Sequence, residues 1–265
     1  MMNIPKELLD NDLVFHFTKP YVAMESILHK NRIRFSSLVD MNDPYEYKIV
    51  STGVSAGGGI SEKMALEAML RLRDTILYKS KILSLVKSKN ITINNPYQLV
   101  FTKPRLWAQY AEAQYGVCLV FGLSAFLDEI KNMYPKLSVY HDYVEYDLSK
   151  HEINSKANIR NYDKSLSCEA NIKTHIGINK KDVYFRKYED FEDESEYRIV
   201  LINWEDNGKH DIYIDITGII RGVILGERFH AMYEETVKDI VINKLHAKLY
   251  RIIYNASHVV LKQYA

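Results

Sequence analysis

Several short segments of the chain alternate between hydrophobic and polar residues, as strands with one buried face do. Residues 14–18 show this alternation and residues 32–36 are predicted as a second strand, whereas residues 117–121 are apolar without interruption. Such an apolar run is typical of a strand covered on both faces, so we expect residues 117–121 to lie in the centre of a sheet. Further strands are predicted at residues 97–102, 137–148, 196–202, 211–216, 223–225, 248–254 and 259–262.

Hydrophobic residues at helical spacing predict helices between these strands. The helix at residues 21–29 follows Pro20, a residue favoured at the start of a helix, and the longest helical segment begins at Ser61. Further helices are predicted at residues 104–111, 123–133, 152–176 and 231–237. Short strands interleaved with helices, without a βαβαβ series, predict the α+β class. We expect one domain over residues 1–265, with a mixed, largely antiparallel sheet covered by helices.

The composition of the chain is that of an ordinary soluble globular protein. Of its 265 residues, 47% are hydrophobic and 26% are charged. No apolar run approaches the ~20 residues of a membrane span. The two cysteines, Cys118 and Cys168, lack the spacing of a metal or redox motif, which favours a reducing compartment. We therefore expect a cytoplasmic protein that does not contact a membrane.

Charge restricts the partners that the sequence predicts. The net charge of +1 at pH 7 gives no overall positive field, so any contact with a nucleic acid must be local. Residues 71–89 form a basic stretch with six Lys or Arg residues and one acidic residue. We expect this stretch to continue the helix that begins at Ser61. It is then either a solvated face or a surface for RNA or another partner.

Polar side chains suited to catalysis or ligand binding occur on predicted strands, turns and helices. His16 and Thr18 lie on the first strand, on the face opposite to its phenylalanines. Asn42 opens an Asn-Asp-Pro-Tyr-Glu turn that holds two carboxylates. Trp107 and Tyr110 are one helical turn apart and are predicted to share a face. Each feature also has a structural interpretation: a structural histidine, an ordinary turn, or an aromatic pair in the core.

The strand at residues 196–202 begins with the most suggestive charge pattern. Residues two apart on a strand share a face, so Glu194, Glu196 and Arg198 are predicted to line one side. Like charges beside each other destabilise a strand unless another group uses them. The pattern therefore indicates a functional site. The alternatives are an edge strand protected by charge and a Glu–Arg pair that braces a neighbouring segment.

Metal-binding motifs are absent from the sequence. It has no HExxH motif, no paired cysteines and no histidine cluster, so we expect no zinc site. Asp43, Glu46, Glu194 and Glu196 would hold Mg²⁺ only if folding united them. A metal-dependent nuclease, with the basic stretch 71–89 as its substrate contact, is the corresponding alternative function.

Four short segments follow one another in a characteristic order. They are His16-Phe17-Thr18; Phe35-Ser36-Ser37 with Asn42-Asp43-Pro44-Tyr45-Glu46; Phe101-Thr102 with Trp107-Ala108-Gln109-Tyr110-Ala111 and Tyr115-Gly116-Val117-Cys118-Leu119-Val120-Phe121; and Lys187 with Glu194-Ser195-Glu196-Tyr197-Arg198. Together they resemble the DUF2971 family of uncharacterised, mostly bacterial and phage-associated proteins, over residues 13–230. Where that family has Cys-Phe-Ser, this chain has Val100-Phe101-Thr102, so no role of that cysteine carries over.

The layout of this family resembles the ADP-ribosyltransferase fold, which implies a role for each segment. In that fold a His or Arg on the first strand meets the ribose of NAD, a Ser or Thr on a middle strand shapes the pocket, and a late Glu acts on the sugar. By this analogy His16 takes the first role, the segment that contains Ser36 the second, and Glu196 or Glu194 the third. NAD is then the substrate, with Thr18 and Asn42 among its contacts.

Elementary chemistry supports the same residue types. A carboxylate stabilises the oxocarbenium ion that develops when the bond between nicotinamide and ribose breaks. The rings of Trp107 and Tyr110 are suited to stack on a nucleotide base, and Arg198 or Arg32 to bind the pyrophosphate. We therefore expect an NAD-consuming ADP-ribosyltransferase or NAD glycohydrolase, an effector such as a toxin or anti-phage protein, with a protein or nucleic-acid acceptor. The alternatives are a non-catalytic module that binds a nucleotide or a partner, and the metal-dependent nuclease.

Overall fold

The computed structural model describes residues 4–41, 46, 53–56, 59–89, 98–148, 158–205, 208, 210–256 and 258–264. This part of the chain contains twelve strands. The strands are β1 (Leu13–Thr18), β2 (Arg32–Ser37), β3 (Ser80–Val86), β4 (Val117–Gly122), β5 (Ser138–Tyr143), β6 (Glu145–Leu148), β7 (Arg186–Tyr188), β8 (Glu196–Ile202), β9 (Ile212–Asp215), β10 (Ile220–Leu225), β11 (Lys248–Asn255) and β12 (His258–Gln263).

Helices connect and cover these strands. They are α1 (Val22–Leu28, a π-helix), α2 (Glu62–Asp74, continued by a π-helical segment Thr75–Lys79), α3 (Pro104–Tyr110), α4 (Leu123–Met133), α5 (Cys168–Tyr184) and α6 (Glu234–Lys238, continued by a π-helical segment Asp239–Lys244). Short 3₁₀ turns occur at Lys6–Leu9, Leu38–Asp40, Val100–Thr102, Glu189–Glu194 and Ala231–Tyr233. None of the helices in the described ranges has the length and apolar character needed to cross a membrane.

Ten of the strands form one sheet. Its main path runs β12-β11-β10-β4-β1-β3-β2-β9, and β8 pairs with β3 and carries β5 on its other edge. Within this sheet the pair β10–β11 is parallel and the other pairs are antiparallel, while β6 and β7 form a separate parallel pair. The predicted α+β class, with a mixed and largely antiparallel sheet, is confirmed.

The sheet divides at β3, and this division positions the site described below. On one edge, β3 pairs with β8 along its whole length, from Ser80 opposite Ile202 to Val86 opposite Glu196. On the other edge, β1 meets β3 at Val86 whereas β2 meets it at Lys81 and Ile82. The segment of β3 between these two contacts therefore faces a gap between β1 and β2.

Apolar clusters cover both faces of the large sheet. Phe15 and Phe17 of β1 pack on one face with Trp107 and Tyr250, while Val14 points to the opposite cluster. A third cluster packs α2 and α5 against β3 and β8. All six residues of β4 are buried, and β4 lies between β10 and β1. The central position predicted for residues 117–121 is therefore confirmed.

The basic stretch 71–89 is not one helix, which corrects the sequence-based prediction. The helical segments end at Lys79, and β3 follows at once with almost every residue buried. Lys81 lies within this strand, and its Nζ donates to the hydroxyl of Ser37 at 2.6 Å. The apolar residues of β3 are buried by its pairing with β8, which explains why this segment is a strand. The stretch therefore does not offer a continuous basic helix to a nucleic acid.

Three further boundaries differ from prediction. The described part of segment 97–102 forms a 3₁₀ turn before Pro104, where Thr102 donates its hydroxyl to the Leu99 carbonyl. Segment 137–148 is two strands, because β5 pairs with β8 whereas β6 pairs with β7. Helix α5 begins at Cys168 rather than near residue 152, since the Ser167 hydroxyl caps it by accepting from the amide of Ala170.

Candidate functional site

A cavity of about 210 Å³ opens where β1, β3 and β8 adjoin helix α3 and the turn Glu189–Glu194. Charged and hydrogen-bonding side chains from all of these elements line it, and we call it the acidic cavity. These side chains include His16, Glu46, Tyr110, Lys187, Glu194, Glu196 and Arg198.

Glu196 begins β8 and is buried in the wall of the acidic cavity. Its Oε1 accepts from Arg198 Nε at 2.7 Å, and its Oε2 accepts from Arg198 Nη2 at 3.1 Å and from Lys187 Nζ at 3.3 Å. Burial alone would raise the pKa of this carboxyl, but the charges of Arg198 and Lys187 outweigh it and lower the pKa to about 2. Glu196 is therefore ionised at neutral pH.

Glu194 lies beside Glu196 although it belongs to the preceding 3₁₀ turn and not to the strand. Ser195 separates the two residues in a left-handed conformation, with φ of 51°, so Glu194 leaves the line of the strand. Its Oε2 accepts from Lys187 Nζ at 2.8 Å, and its Oε1 accepts from the Tyr110 hydroxyl at 2.5 Å. The prediction that Glu194 lies on the strand was wrong, but the two carboxylates do face a common lysine.

Arg198 anchors the other side of the cluster and is almost completely buried. Besides Glu196, its Nη1 pairs with the Glu46 carboxylate at 2.5 Å and donates to the Tyr184 carbonyl at 2.9 Å. Glu46, the last residue of the predicted turn, thus reaches the site. Strand β8 lies between β3 and β5, so the alternative of a charge-protected edge strand is excluded.

Charge in the buried part of the cluster does not cancel. Three carboxylates, Glu46, Glu194 and Glu196, face two cations, Lys187 and Arg198, which leaves one negative charge in excess among the described residues. Burial lowers the pKa of Lys187, but Glu196, Glu194 and Glu46 raise it more strongly, so the lysine stays protonated. A buried excess charge of this kind attracts a cationic group far more strongly than a solvated one does.

His16 forms part of the opposite wall and is held in one tautomer. Its Nδ1 lies 3.1 Å from the carbonyl oxygen of Ser84, in the gap between β1 and β2. Because a carbonyl only accepts, Nδ1 carries the proton and Nε2 is left as a hydrogen-bond acceptor. Burial lowers the pKa of His16 more than the Ser84 hydrogen bond raises it, so the ring is neutral at pH 7.

A second and larger cavity, of about 500 Å³, lies on the other side of His16. It shares His16, Asp40, Met41 and Ser84 with the acidic cavity, so the two adjoin. Its remaining polar lining comes mainly from α1, β2 and β9, and we call it the basic cavity. These side chains are Ser26, Lys30, Arg32, Arg34, Ser36 and Tyr213.

The comparison with protein families gives one match. Residues 106–199 match the model of DUF2971, a family of proteins of unknown function. The match supports assignment of this chain to DUF2971. No curated protein and no solved structure matches the chain significantly. The DUF2971 match extends from α3 into β8, so it includes Tyr110, Lys187, Glu194, Glu196 and Arg198.

The structure brings most of the predicted site residues to adjoining cavities. The acidic cavity unites His16, Tyr110, Glu194, Glu196 and Arg198, and Ser36 lines the basic cavity. Asn42 and Asp43 lie outside the described residues.

Two predicted contacts have other surroundings. Trp107 is fully buried in the core: its indole N–H donates to the Phe101 carbonyl at 2.8 Å, and its ring meets Phe17 edge-on, with centroids 5.2 Å apart. Thr18 is buried at the end of β1, where it pairs with Val117. The prediction that Trp107 stacks on a ligand is therefore corrected. Trp107 belongs to the core, as in the alternative of an aromatic core pair, whereas Tyr110 on the next helical turn reaches the cavity.

Sequence analysis missed Lys187 and Gln109 as site residues. Lys187 lies on the three-residue strand β7 and touches both Glu194 and Glu196, and its Nζ lies 4.1 Å from the centre of the Phe191 ring. Gln109 donates to the Glu194 carboxylate at 3.2 Å. Both belong to segments that carry the family resemblance. That membership was the available signal for them.

The carboxylates of the acidic cavity are bound to side-chain cations and hydroxyl groups. Glu196 is held by Arg198 and Lys187, and Glu194 by Lys187 and Tyr110. Within the described ranges, no group of three or more His, Cys, Asp or Glu residues is arranged to hold a metal ion. The metal-dependent nuclease therefore has no supporting arrangement among these residues.

Proposed function

We propose that the acidic cavity binds the nicotinamide riboside end of NAD and that this protein cleaves the bond between nicotinamide and ribose. The observation that carries the proposal is the buried excess of negative charge beside the neutral His16. The nicotinamide ring of NAD is cationic, and positive charge moves onto the ribose as the bond breaks. A preorganised negative charge in the wall of the cavity stabilises both states, and it stabilises the developing oxocarbenium ion most.

The proposed reaction assigns a task to each wall of the cavity. The bond between ribose C1′ and the ring nitrogen breaks, and its electron pair leaves with nicotinamide, which becomes neutral. Glu196 and Glu194 stabilise the oxocarbenium ion, while Nε2 of His16 accepts a hydrogen bond from a ribose hydroxyl. A nucleophile then bonds to C1′ and loses a proton to solvent water. Water as the nucleophile makes the protein a glycohydrolase, whereas a protein or nucleic-acid group makes it a transferase.

Release of nicotinamide from NAD tests this proposal. We would incubate the purified full chain with NAD, with and without cell extract as a source of acceptors. Glu194→Gln and Glu196→Gln each remove one buried charge, whereas Glu192→Gln removes the same charge from an exposed position on the same turn. We expect release by the wild type and Glu192→Gln, and release reduced at least ~100-fold in one or both buried variants. No release by the wild type under either condition would refute it.

A second function, a non-catalytic nucleotide-binding module, is favoured by one specific observation. Both oxygens of Glu196 already accept hydrogen bonds from Arg198 or Lys187, an arrangement that also suits a purely structural carboxylate. Calorimetric binding of intact NAD by the wild type, with no nicotinamide released, would favour this function over cleavage. Unchanged binding in a stably folded Glu196→Gln variant would then assign Glu196 to bracing Arg198.

A further inference from the structure

We propose that the basic cavity binds the diphosphate of a nucleoside diphosphate ligand, with Arg32 and Arg34 as its principal contacts. The inference deepens the proposed function, on which it rests for the identity of the whole ligand. It assigns the part of the ligand that lies beyond His16, outside the acidic cavity.

The first support is charge. Among the described residues that line the basic cavity, Lys30, Arg32 and Arg34 carry positive charge and Asp40 carries the opposing negative charge. The excess of two positive charges matches the two negative charges of a diphosphate that bridges two nucleosides. The acidic cavity has the opposite excess, so the adjoining cavities complement a ligand that is cationic at one end and anionic in the middle.

The second support is the local structure of β2. Arg32, Arg34 and Ser36 alternate with buried residues, so all three side chains share the face of the strand that lines the cavity. Strand β9 holds β2 in place, with Arg34 opposite Tyr213. The guanidinium of Arg32 lies over the Tyr213 ring, 4.1 Å from its centre. Two arginines on one strand face present donor pairs of the kind that phosphate groups bind.

The existing partner of Arg34 does not remove it from this role. Arg34 Nη1 lies 3.5 Å from the Asp211 carboxylate, and half of the Arg34 side chain remains exposed. An exposed ion pair of this kind contributes little free energy, because water competes for both charges. A diphosphate, with more charge and more acceptor oxygens than one carboxylate, would displace it.

Size and continuity give the third support. The basic cavity encloses about 500 Å³, more than twice the volume of the acidic cavity, and pockets of this size hold small-molecule ligands. His16, Asp40, Met41 and Ser84 border both cavities. The two cavities are therefore neighbours, and a ligand that occupies both would extend past His16.

Calorimetric titration of the full chain with ADP tests this site without requiring turnover. Arg32→Gln and Arg34→Gln remove one charge each, and Arg73→Gln removes the same charge from the exposed side of α2 as a matched control. We expect ADP to bind the wild type and Arg73→Gln equally and each cavity variant about tenfold more weakly, since each loses a charge-assisted hydrogen bond. Affinity for nicotinamide alone should not change.

The outcomes separate this inference from the proposed function. Equal ADP affinity in all four proteins, or no binding of ADP by the wild type, would overturn the site. Release of nicotinamide with an unchanged KM for NAD in Arg32→Gln and Arg34→Gln would overturn the site while the proposed function stands. Arginine-dependent ADP binding by a wild type that releases no nicotinamide would support the site and refute cleavage.

Discussion

Tyr110 donates its hydroxyl to the carboxylate of Glu194, with 2.5 Å between the two oxygen atoms. Burial raises the pKa of this phenol, and the adjacent Glu194 raises it further, so Tyr110 remains a donor throughout the physiological range. Helix α3 thereby holds in place the carboxylate that the turn Glu189–Glu194 brings to the cavity. The orientation of Glu194 thus depends on a residue 84 positions away in the chain.

Tyr110→Phe should destabilise the protein by about 1–3 kcal/mol, because a buried carboxylate loses a charge-assisted hydrogen bond while the ring volume is kept. Urea denaturation at pH 7 measures the change. The control is Tyr78→Phe, at an exposed position, which should be neutral. Equal losses in the two variants would contradict a specific role for the Tyr110 hydroxyl.

The depressed pKa of Glu196 predicts a pH dependence of stability. Its carboxyl has a pKa of about 2 in the folded protein against an ordinary value of 4.5. The stabilisation is therefore fully present above pH 4.5 and is lost as pH falls towards 2. The wild type should lose on the order of 3 kcal/mol more than Glu196→Gln over this interval. Urea denaturation of both proteins at several acidic pH values measures the difference, and parallel curves would contradict the prediction.

The lowered pKa of His16 predicts a second pH dependence of stability, in a different pH interval. Burial lowers the pKa of the folded-state imidazole below its ordinary value of 6.5, so the unfolded chain binds the proton more readily. The contribution of neutral His16 to stability is therefore fully present above pH 6.5 and declines as pH falls below it. In His16→Asn an amide replaces the Nδ1 donor to Ser84 but does not titrate. The free-energy difference between wild type and variant should change below pH 6.5, and a constant difference would show that His16 is not neutralised by folding.

Trp107 should be a residue of the core and not of the ligand site. Trp107→Ala removes a fully buried side chain and should destabilise the protein by about 3–5 kcal/mol. Trp107→Phe keeps most of the packing and should leave ADP affinity unchanged in the titration described above. A loss of ADP binding in a folded Trp107→Phe variant would restore Trp107 to the ligand site.

Gly116 lies where α3 turns towards β4, and it offers a sharp test of packing. A Cβ added there would overlap the carbonyl oxygen of Thr18 and stand 2.9 Å from Ala111 Cα. Since both obstacles are backbone atoms, Gly116→Ala should cost about 1–3 kcal/mol. The matched control, Gly177→Ala within α5, meets no atom within 4 Å and should be neutral or stabilising by up to ~1 kcal/mol. Thermal denaturation of both variants ranks them.

The sequence predicted those parts of the site that depend on local periodicity. Alternation placed His16 opposite Phe15 and Phe17, and it placed Glu196 and Arg198 on one face of β8. Lys187 was not predicted as a site residue because its strand has three residues, too few for a periodic pattern. Its partners also lie on other elements.

The remaining differences have non-local causes. Strand β3 follows a helix directly and lies in a basic stretch, so its local sequence resembles a continued helix, whereas pairing with β8 makes it a strand. Trp107 and Tyr110 share a helical turn in sequence, but the surrounding core decides that one is buried and the other reaches the cavity. The gap between β1 and β2 depends on three strands meeting β3, which no single segment encodes.

The division of the sheet at β3 has a consequence for how this protein tolerates insertions and deletions. Val86 is the partner of Phe15 on one side and of Glu196 on the other. Strand β3 therefore sets the register of both strands that wall the acidic cavity. Loss of a single residue within β3 would invert its following side chains and shift His16 relative to Glu196. Changes of length that preserve the site are therefore confined to the connections between strands, while the seven residues of β3 must be kept in number.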